Sequence, residues 1–453
     1  MTSLLSKAGT AVLRLVSIPI AIRVLGMEEF GLYMAITLAI YLVDALHVGI
    51  GPALTHGISS SIARKDRRGE RLYFSNGFLL SLVLTLVAVT CMVVALLNVP
   101  ITTMFGEKYA GFESMMMPAL WLGLVIIGVE TLCAQADRAR EGYLEANINN
   151  IWGAAGNFLG ALLLGVGVFY FPTIFFIVIA VNGSLLFAKL GNMIHLFVQR
   201  PYLWPSPKLI KGRLLKELSV DGVAFSVAYI LSALVEFNVV AMFVSHIGGP
   251  AKVATYGVLI TLHISLMGFV AMITVPLWPA VVDSYARRDF RWIQGSVRKL
   301  YLYAMTYAAG VLLVILCIGP TLFRLWLGTG FDAPHSVLVA FGLYFLINTW
   351  RHVNQVLLFG VGKVKQAAGY TLLECGVMLI GAYLAMRHFG LTGVFLTMAT
   401  IIACLNGWRF PLAFFRELRR AQAEDGEAGG EEPKKPPKED APVPTALPAV
   451  AEL

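Results

Sequence analysis

The chain has 453 residues, 58% of them hydrophobic and 14% charged, with a formal net charge of +8 and a mean hydropathy of +0.74. A soluble domain carries about 25% charged residues, so an ordinary soluble enzyme is excluded. The basic residues fall in short clusters between apolar runs, the pattern of membrane topology determinants and not of a nucleic-acid surface.

A membrane helix needs about 20 mostly apolar residues. Twelve stretches qualify, near 4–25, 31–62, 73–98, 114–135, 147–170, 173–197, 219–245, 254–282, 298–323, 336–360, 367–386 and 392–414. The first carries Lys7 and Arg14 within its apolar run and lacks a small-residue cleavage site, so it is expected to be a retained span and not a signal peptide. The second contains Asp44 followed by Gly49, Gly51 and Pro52, an interruption that often marks a bend in a transporter helix. Between the sixth and seventh spans, WPSPKLIKGRLLKEL is expected to form a basic amphipathic helix on the cytosolic interface.

The loops after even-numbered spans hold nineteen basic residues, from the Arg64–Arg71 cluster to Lys363 and Lys365. The opposite loops hold five: Arg23, Lys108, Lys252, Arg324 and Arg387. This bias places both termini in the cytoplasm. From Arg416 onward the sequence mixes acids, bases, Pro and Gly, with nine acidic and six basic residues. Such a composition has too little apolar surface to offset the entropy of ordering.

The two halves repeat. Ala63-Arg64-Lys65-Asp66 matches Ala286-Arg287-Arg288-Asp289 at an offset of 223 residues, which also superposes Gly26 on Gly249 and Tyr33 on Tyr256. Six spans per half gives both halves the same orientation, related by an axis along the membrane normal. The expected organisation is all-α and integral to the membrane: a six-helix bundle over 1–198, an amphipathic cytosolic linker over 199–217, a second six-helix bundle over 218–415, and a disordered cytosolic tail over 416–453.

Arg23-Val-Leu-Gly-Met-Glu-Glu-Phe-Gly-Leu-Tyr33, Asp44-Ala-Leu-His-Val-Gly-Ile-Gly-Pro-Ala53 and Val275-Pro-Leu-Trp-Pro-Ala280, followed by Ser284-Tyr-Ala-Arg-Arg-Asp289, resemble the Wzx-type polysaccharide flippases. These belong to the multidrug/oligosaccharidyl-lipid/polysaccharide exporter superfamily. The resemblance runs over nearly all of residues 1–415. It implies a V-shaped central cavity in a bacterial cytoplasmic (inner) membrane. It also implies transfer of an undecaprenyl-diphosphate-linked sugar repeat unit to the outer leaflet for polysaccharide or lipopolysaccharide biosynthesis. The partners implied are the lipid-linked oligosaccharide, membrane lipids, and polysaccharide polymerase and chain-length machinery. Two departures leave the substrate open. Family members often carry an acid near the position of Asn238, where this chain has Glu236 two residues earlier, and the arginine pattern of the peptidoglycan-precursor flippases is reduced to Arg14 and Arg23.

A flippase cavity must shelter a charged headgroup, and diphosphate favours Arg, whose planar fork pairs bidentately with phosphate. Arg14 lies mid-span, and its repeat position falls between Glu236 and Asn238. Ionisable groups in a membrane usually face the bundle interior, so Arg14 and Glu236 are cavity candidates; the alternative is a structural ion pair, or an Arg14 that snorkels. In the tenth span Asn348, Arg351, His352 and Gln355 share one helical stripe, read as cavity lining with interhelical hydrogen bonding as the alternative. Asp44, Glu130, His263 and Glu374 complete the buried titratable candidates.

No metal, cofactor or catalytic group is expected. The five cysteines stand singly in apolar segments, and no GxxxxGK[ST] loop occurs. The competing readings are a cation-coupled multidrug exporter of the same superfamily and a membrane polymerase or glycosyltransferase. The last usually needs a sizeable outer loop, and the longest here runs only from about Asn98 to Glu113.

Overall fold

The computed structural model describes residues 2–45, 50–216, 231–328 and 333–428, with isolated positions at 218, 219, 227 and 331; side chains before Ser17, at 44, 45, 52 and 168, and beyond Asp425 lie outside the described set. Among the described residues all regular structure is helical. The spans are α1 (2–25), α2 (27–63, with 46–49 outside the described residues), α3 (Arg67–Asn98), α4 (Glu113–Gly142), α5 (146–170), α6 (174–199), α7 (231–248), α8 (Pro250–Ala286), α9 (Phe290–Leu327), α10 (His335–Gly360), α11 (364–389) and α12 (391–404). A final helix, α13 (Asn406–Ala428), follows a one-residue turn at Leu405.

Nine described helices are long and apolar enough to cross a membrane. The spans number twelve because Gly26 and Gly390 each divide one continuous helical run into two, and because the polar α10 falls below the apolar threshold. Both glycines have positive φ (78° and 61°), a conformation that costs an L side chain about 1 kcal/mol or more.

The internal repeat survives in backbone detail. Gly26 has φ 78° and ψ 171°, and its counterpart Gly249 has φ 83° and ψ −175°. Lys65 and Arg288 are both left-handed, with φ of 55° and 59°. Asp66 then caps α3 by accepting from the Gly69 backbone N–H at 2.9 Å, and Asp289 caps α9 by accepting from Trp292 at 3.0 Å. Capping of this kind satisfies one of the orphan amides at a helix start, so the Ala-Arg-Lys/Arg-Asp motifs are helix-turn signals as well as topology signals.

The hydrophobic core divides unequally. One cluster runs through both halves, from Ile18 and Phe30 to Phe395 and Ile402. Nearer the basic loops it splits into an N-terminal cluster around Leu54, Phe74 and Leu196 and a separate C-terminal cluster around Val281, Phe290, Leu357 and Phe414. Among the described residues, polar contacts join the halves on the face opposite the basic loops: Lys108 Nζ donates to the carbonyls of Ile247 (3.2 Å) and Gly248 (3.1 Å), and Ser245 Oγ donates to Tyr109 Oη at 2.7 Å. The two bundles therefore join on one face and part toward the other.

Two segments differ from the sequence reading. The linker is not one amphipathic helix: it makes short 3-10 turns at Pro201–Leu203 and Pro207–Leu209 and becomes helical only from 212. Pro205 and Pro207 forbid a continuous helix, and Asn76 on α3 pins the strand-like stretch by donating to the Leu209 carbonyl and accepting from the Lys211 amide, both at 2.9 Å. The segment from 416 is helical as far as Ala428. Glu417 holds it, paired with Lys363 at 3.0 Å and accepting from Tyr285 Oη at 3.1 Å; these partners are distant in sequence and left no local signal.

Candidate functional site

A cavity of about 430 Å³ lies between the bundles. The N-terminal half supplies Ser17, Tyr33, Thr37 and Tyr41 from α1 and α2, with Asn157 and Ser184 from α5 and α6. The C-terminal half supplies Phe237 and Asn238 from α7, and Tyr256 and Thr261 from α8. The repeat-related Tyr33 and Tyr256 thus both reach the wall. Among the described residues the wall is aromatic, aliphatic, hydroxyl and amide, without a charged side chain.

Backbone irregularities cluster here. Three π-helical turns, Leu163–Gly167, Ile179–Gly183 and Val235–Val239, interrupt α5, α6 and α7, and each contributes to the wall through Leu164, Val181, and Phe237 with Asn238. Single π turns inside α-helices frequently mark functional sites. α5 and α6 approach closely because Gly156 and Gly160 face small residues: a Cβ on Gly156 would lie 2.7 Å from the Ala188 Cβ, and one on Gly160 would lie 2.7 Å from Ser184 Oγ. This small-residue seam is a membrane packing device, and it sets the positions of Asn157, Ala161 and Ser184.

Behind the C-terminal wall sits a buried ionic cluster. Arg351 Nη1 lies 2.6 Å from Glu236 Oε1 and 2.6 Å from Glu374 Oε1. The Glu374 contact has hydrogen-bond geometry, whereas Glu236 Oε1 has no hydrogen-bond partner and is approached off the N–H direction. Arg351 Nη2 donates to Asn348 Oδ1 at 3.2 Å. Glu236 Oε2 accepts from Asn348 Nδ2 at 2.7 Å and from Tyr344 Oη at 2.5 Å, while Tyr256 Oη donates to the Glu236 backbone carbonyl. Glu374 Oε2 has no hydrogen-bond partner among the described residues. Glu236 and Glu374 are each 1% exposed and Arg351 7%. With all three groups ionised the cluster carries one carboxylate more than it has guanidinium, in an environment where an uncompensated charge costs several kcal/mol.

The sequence candidates separate accordingly. Of the nine, Asn238 alone lies in the described cavity wall. Glu236, Asn348 and Arg351 form the ionic cluster inside the C-terminal bundle, so these members of the α10 stripe and its partner make interhelical bonds and do not line the described cavity. His352 Nε2 pairs with Thr274 Oγ1 at 3.1 Å, and Gln355 is buried farther along α10. His263 is packed among Phe237, Tyr344 and Phe345, with ring centroids at 5.6, 5.0 and 5.6 Å, and its Nδ1 has no partner. The side chains of Arg14 and Asp44 lie outside the described residues. Tyr344 sits four residues before Asn348 on the same stripe, but a lone tyrosine in an apolar helix reads from sequence as packing.

A second network closes the basic face of the N-terminal bundle. Arg140, fully buried, donates to Asn192 Oδ1 at 2.7 Å, Glu145 Oε2 at 2.8 Å and Gln199 Oε1 at 3.1 Å, while Arg200 Nη2 meets Glu145 Oε1 at 2.5 Å. Lys189 pairs with Asp137. Burial alone would push the Glu145 carboxylate up, but its hydrogen bonds and charge pairing with Arg200 and Arg140 outweigh this and hold it below the usual carboxylate range. These arginines, read from sequence as topology signals, bind helices α4 and α6 to the linker.

No protein-family model and no curated protein matches this sequence. Solved structures do match. A multidrug resistance MATE family transporter of the MOP superfamily in an inward-facing conformation superposes with a TM-score of 0.73 at 16% identity, covering 92% of this chain and 96% of that one. An outward-facing conformation of such a transporter gives 0.63 with the same identity and coverage. A MOP superfamily transporter from Pyrococcus furiosus, described as having a binding pocket of reverse polarity, gives 0.58, also at 16% identity and with the same coverage. The chain therefore has the two-bundle helical fold of these proteins.

Proposed function

We propose that the protein is a transporter that exports small amphipathic organic molecules through the cavity between its bundles by alternating access, with the Glu236–Arg351–Glu374 cluster coupling the cycle to proton or cation uptake. The cavity wall carries this reading: Tyr33, Tyr41, Phe237 and Tyr256 offer ring faces to an apolar body or a delocalised cation, and hydroxyls and amides can orient it. The fold supports it, since the neighbours described as multidrug resistance transporters occur in inward- and outward-facing forms. Parting of the bundles toward the basic loops corresponds to the inward-facing form, given that the charge bias puts those loops in the cytosol.

A second reading, transfer of an undecaprenyl-diphosphate-linked sugar unit for polysaccharide biosynthesis, is favoured by Arg14. It lies on α1 one turn before Ser17, and Ser17, Ile18 and Ala21 belong to the wall. Binding to the purified protein separates the two. The exporter reading expects saturable binding of a lipophilic cationic dye, abolished by Ala161→Trp, which fills the cavity, and unaffected by Arg14→Gln. Tight binding of undecaprenyl diphosphate that is lost in Arg14→Gln, without dye binding, overturns it in favour of the flippase.

A further inference from the structure

A second pocket, of about 380 Å³, lies outside the central pathway, between the first turns of α11 and the face of α13. Its lining includes Gln366, Tyr370, Trp408, Arg409, Arg416 and Arg420. At 100° per residue the three arginines fall within an arc of about 40° on α13, so their guanidinium groups converge on one face while Phe410, Phe414 and Leu418 on the other are buried in the C-terminal core. We infer that this pocket binds the phosphate of an anionic phospholipid headgroup on the basic face of the membrane.

Three observations carry the assignment. The first is charge: the one acid in the lining, Glu417, is already paired with Lys363 at 3.0 Å, and Arg420 meets Glu424 at 3.0 Å across an exposed helix surface. Arg409 and Arg416 have no carboxylate partner among the described residues. Two convergent guanidinium groups without carboxylate partners, beside a third whose carboxylate lies on the exposed helix surface, suit phosphate oxygens, which accept bidentate N–H pairs.

The second is orientation. The Arg409 guanidinium lies 5.8 Å from the Tyr370 ring centroid and 5.6 Å from that of Trp408. The rings hold it by their faces and leave its N–H edge available to a ligand. The third is depth. Tyr370 stands seven residues after Lys363 in the basic loop, about 10 Å along a helix, and Trp408 is half exposed beside it. Tyr and Trp concentrate at the level of lipid headgroups, and basic pockets between helices at that level bind acidic headgroups. A soluble phosphate compound would not need this placement.

Lipid retention by the full-length protein tests the inference. The protein is purified in detergent with equal amounts of phosphatidylglycerol and phosphatidylcholine, and bound lipid is counted by native mass spectrometry. The wild type is expected to retain phosphatidylglycerol about tenfold over phosphatidylcholine, and Arg409→Gln/Arg416→Gln/Arg420→Gln to lose that preference. Arg419→Gln, on a different face of α13, is expected to keep it. The single variants Arg409→Gln and Arg416→Gln, each expected to lose part of it, decide the matter if the triple variant does not fold. Unchanged preference in the foldable variants overturns the inference. Displacement of the lipid by glycerol phosphate at comparable concentration overturns the lipid as the source of the phosphate.

Discussion

Arg351 places a single guanidinium nitrogen 2.6 Å from carboxylate oxygens of both Glu236 and Glu374, joining α7, α10 and α11 through one buried atom. Removing the guanidinium leaves two buried carboxylates facing each other. Arg351→Gln is therefore expected to destabilise the protein by about 3–5 kcal/mol. Adding Glu236→Gln and Glu374→Gln removes the repulsion and should restore much of the loss. Thermal unfolding in detergent checks both; an Arg351→Gln protein that melts with the wild type would show the cluster to be solvated.

The bundles meet on the face opposite the basic loops, where Lys108 reaches the carbonyls of Ile247 and Gly248, next to exposed His246. Lys108→Cys with His246→Cys, bridged through two disulfides by a short bis-methanethiosulfonate reagent that releases sulfinate, should hold that face shut and stop transport. Reduction should restore it. Full transport by the bridged protein would mean that this face does not open.

Close approach of α5 and α6 depends on Gly160 meeting Ser184 and Ala180. Gly160→Val forces an isopropyl group into that seam, and overpacking of this kind costs about 1–3 kcal/mol. A lowered melting temperature and weakened ligand binding should appear together, because Asn157, Ala161 and Ser184 on these helices form part of the cavity wall. Unchanged melting and binding would show that the helices can part without consequence.

Glu145 has its carboxylate held below the usual range in the folded protein. A group of this kind contributes stability that is present above its unfolded pKa, near 4.3, and is lost as pH falls through the folded value. Unfolding midpoints taken from pH 7 downward should thus fall more steeply below about pH 4.5 in the wild type than in Glu145→Gln. Parallel curves would remove Glu145 from the account of the basic face.

Much of the architecture is legible in the residues because the membrane demands it: apolar length and the placement of Arg and Lys give the spans, and Gly26 with Gly249 and Asp66 with Asp289 mark the repeat through conformations that few other residues adopt as readily. The site is less legible. Helical periodicity correctly gathers Asn348, Arg351, His352 and Gln355 on one stripe, but periodicity does not distinguish a stripe facing water from one facing Glu236 on a neighbouring helix. The linker and α13 depend on contacts across more than a hundred residues, such as Asn76 with Leu209 and Tyr285 with Glu417, which local composition does not reveal.

The most direct test of an exporter coupled through the buried cluster is uptake of a lipophilic cationic dye by proteoliposomes under an imposed pH gradient. The account predicts that a proton gradient drives dye accumulation by the wild type. It also predicts that Arg351→Gln/Glu236→Gln/Glu374→Gln, in which no buried charge is left unpaired and the cavity wall is untouched, still binds dye but loses the response to the gradient. Gradient-driven accumulation at the wild-type rate in that triple variant, or a wild type that moves no dye under any gradient, would contradict it.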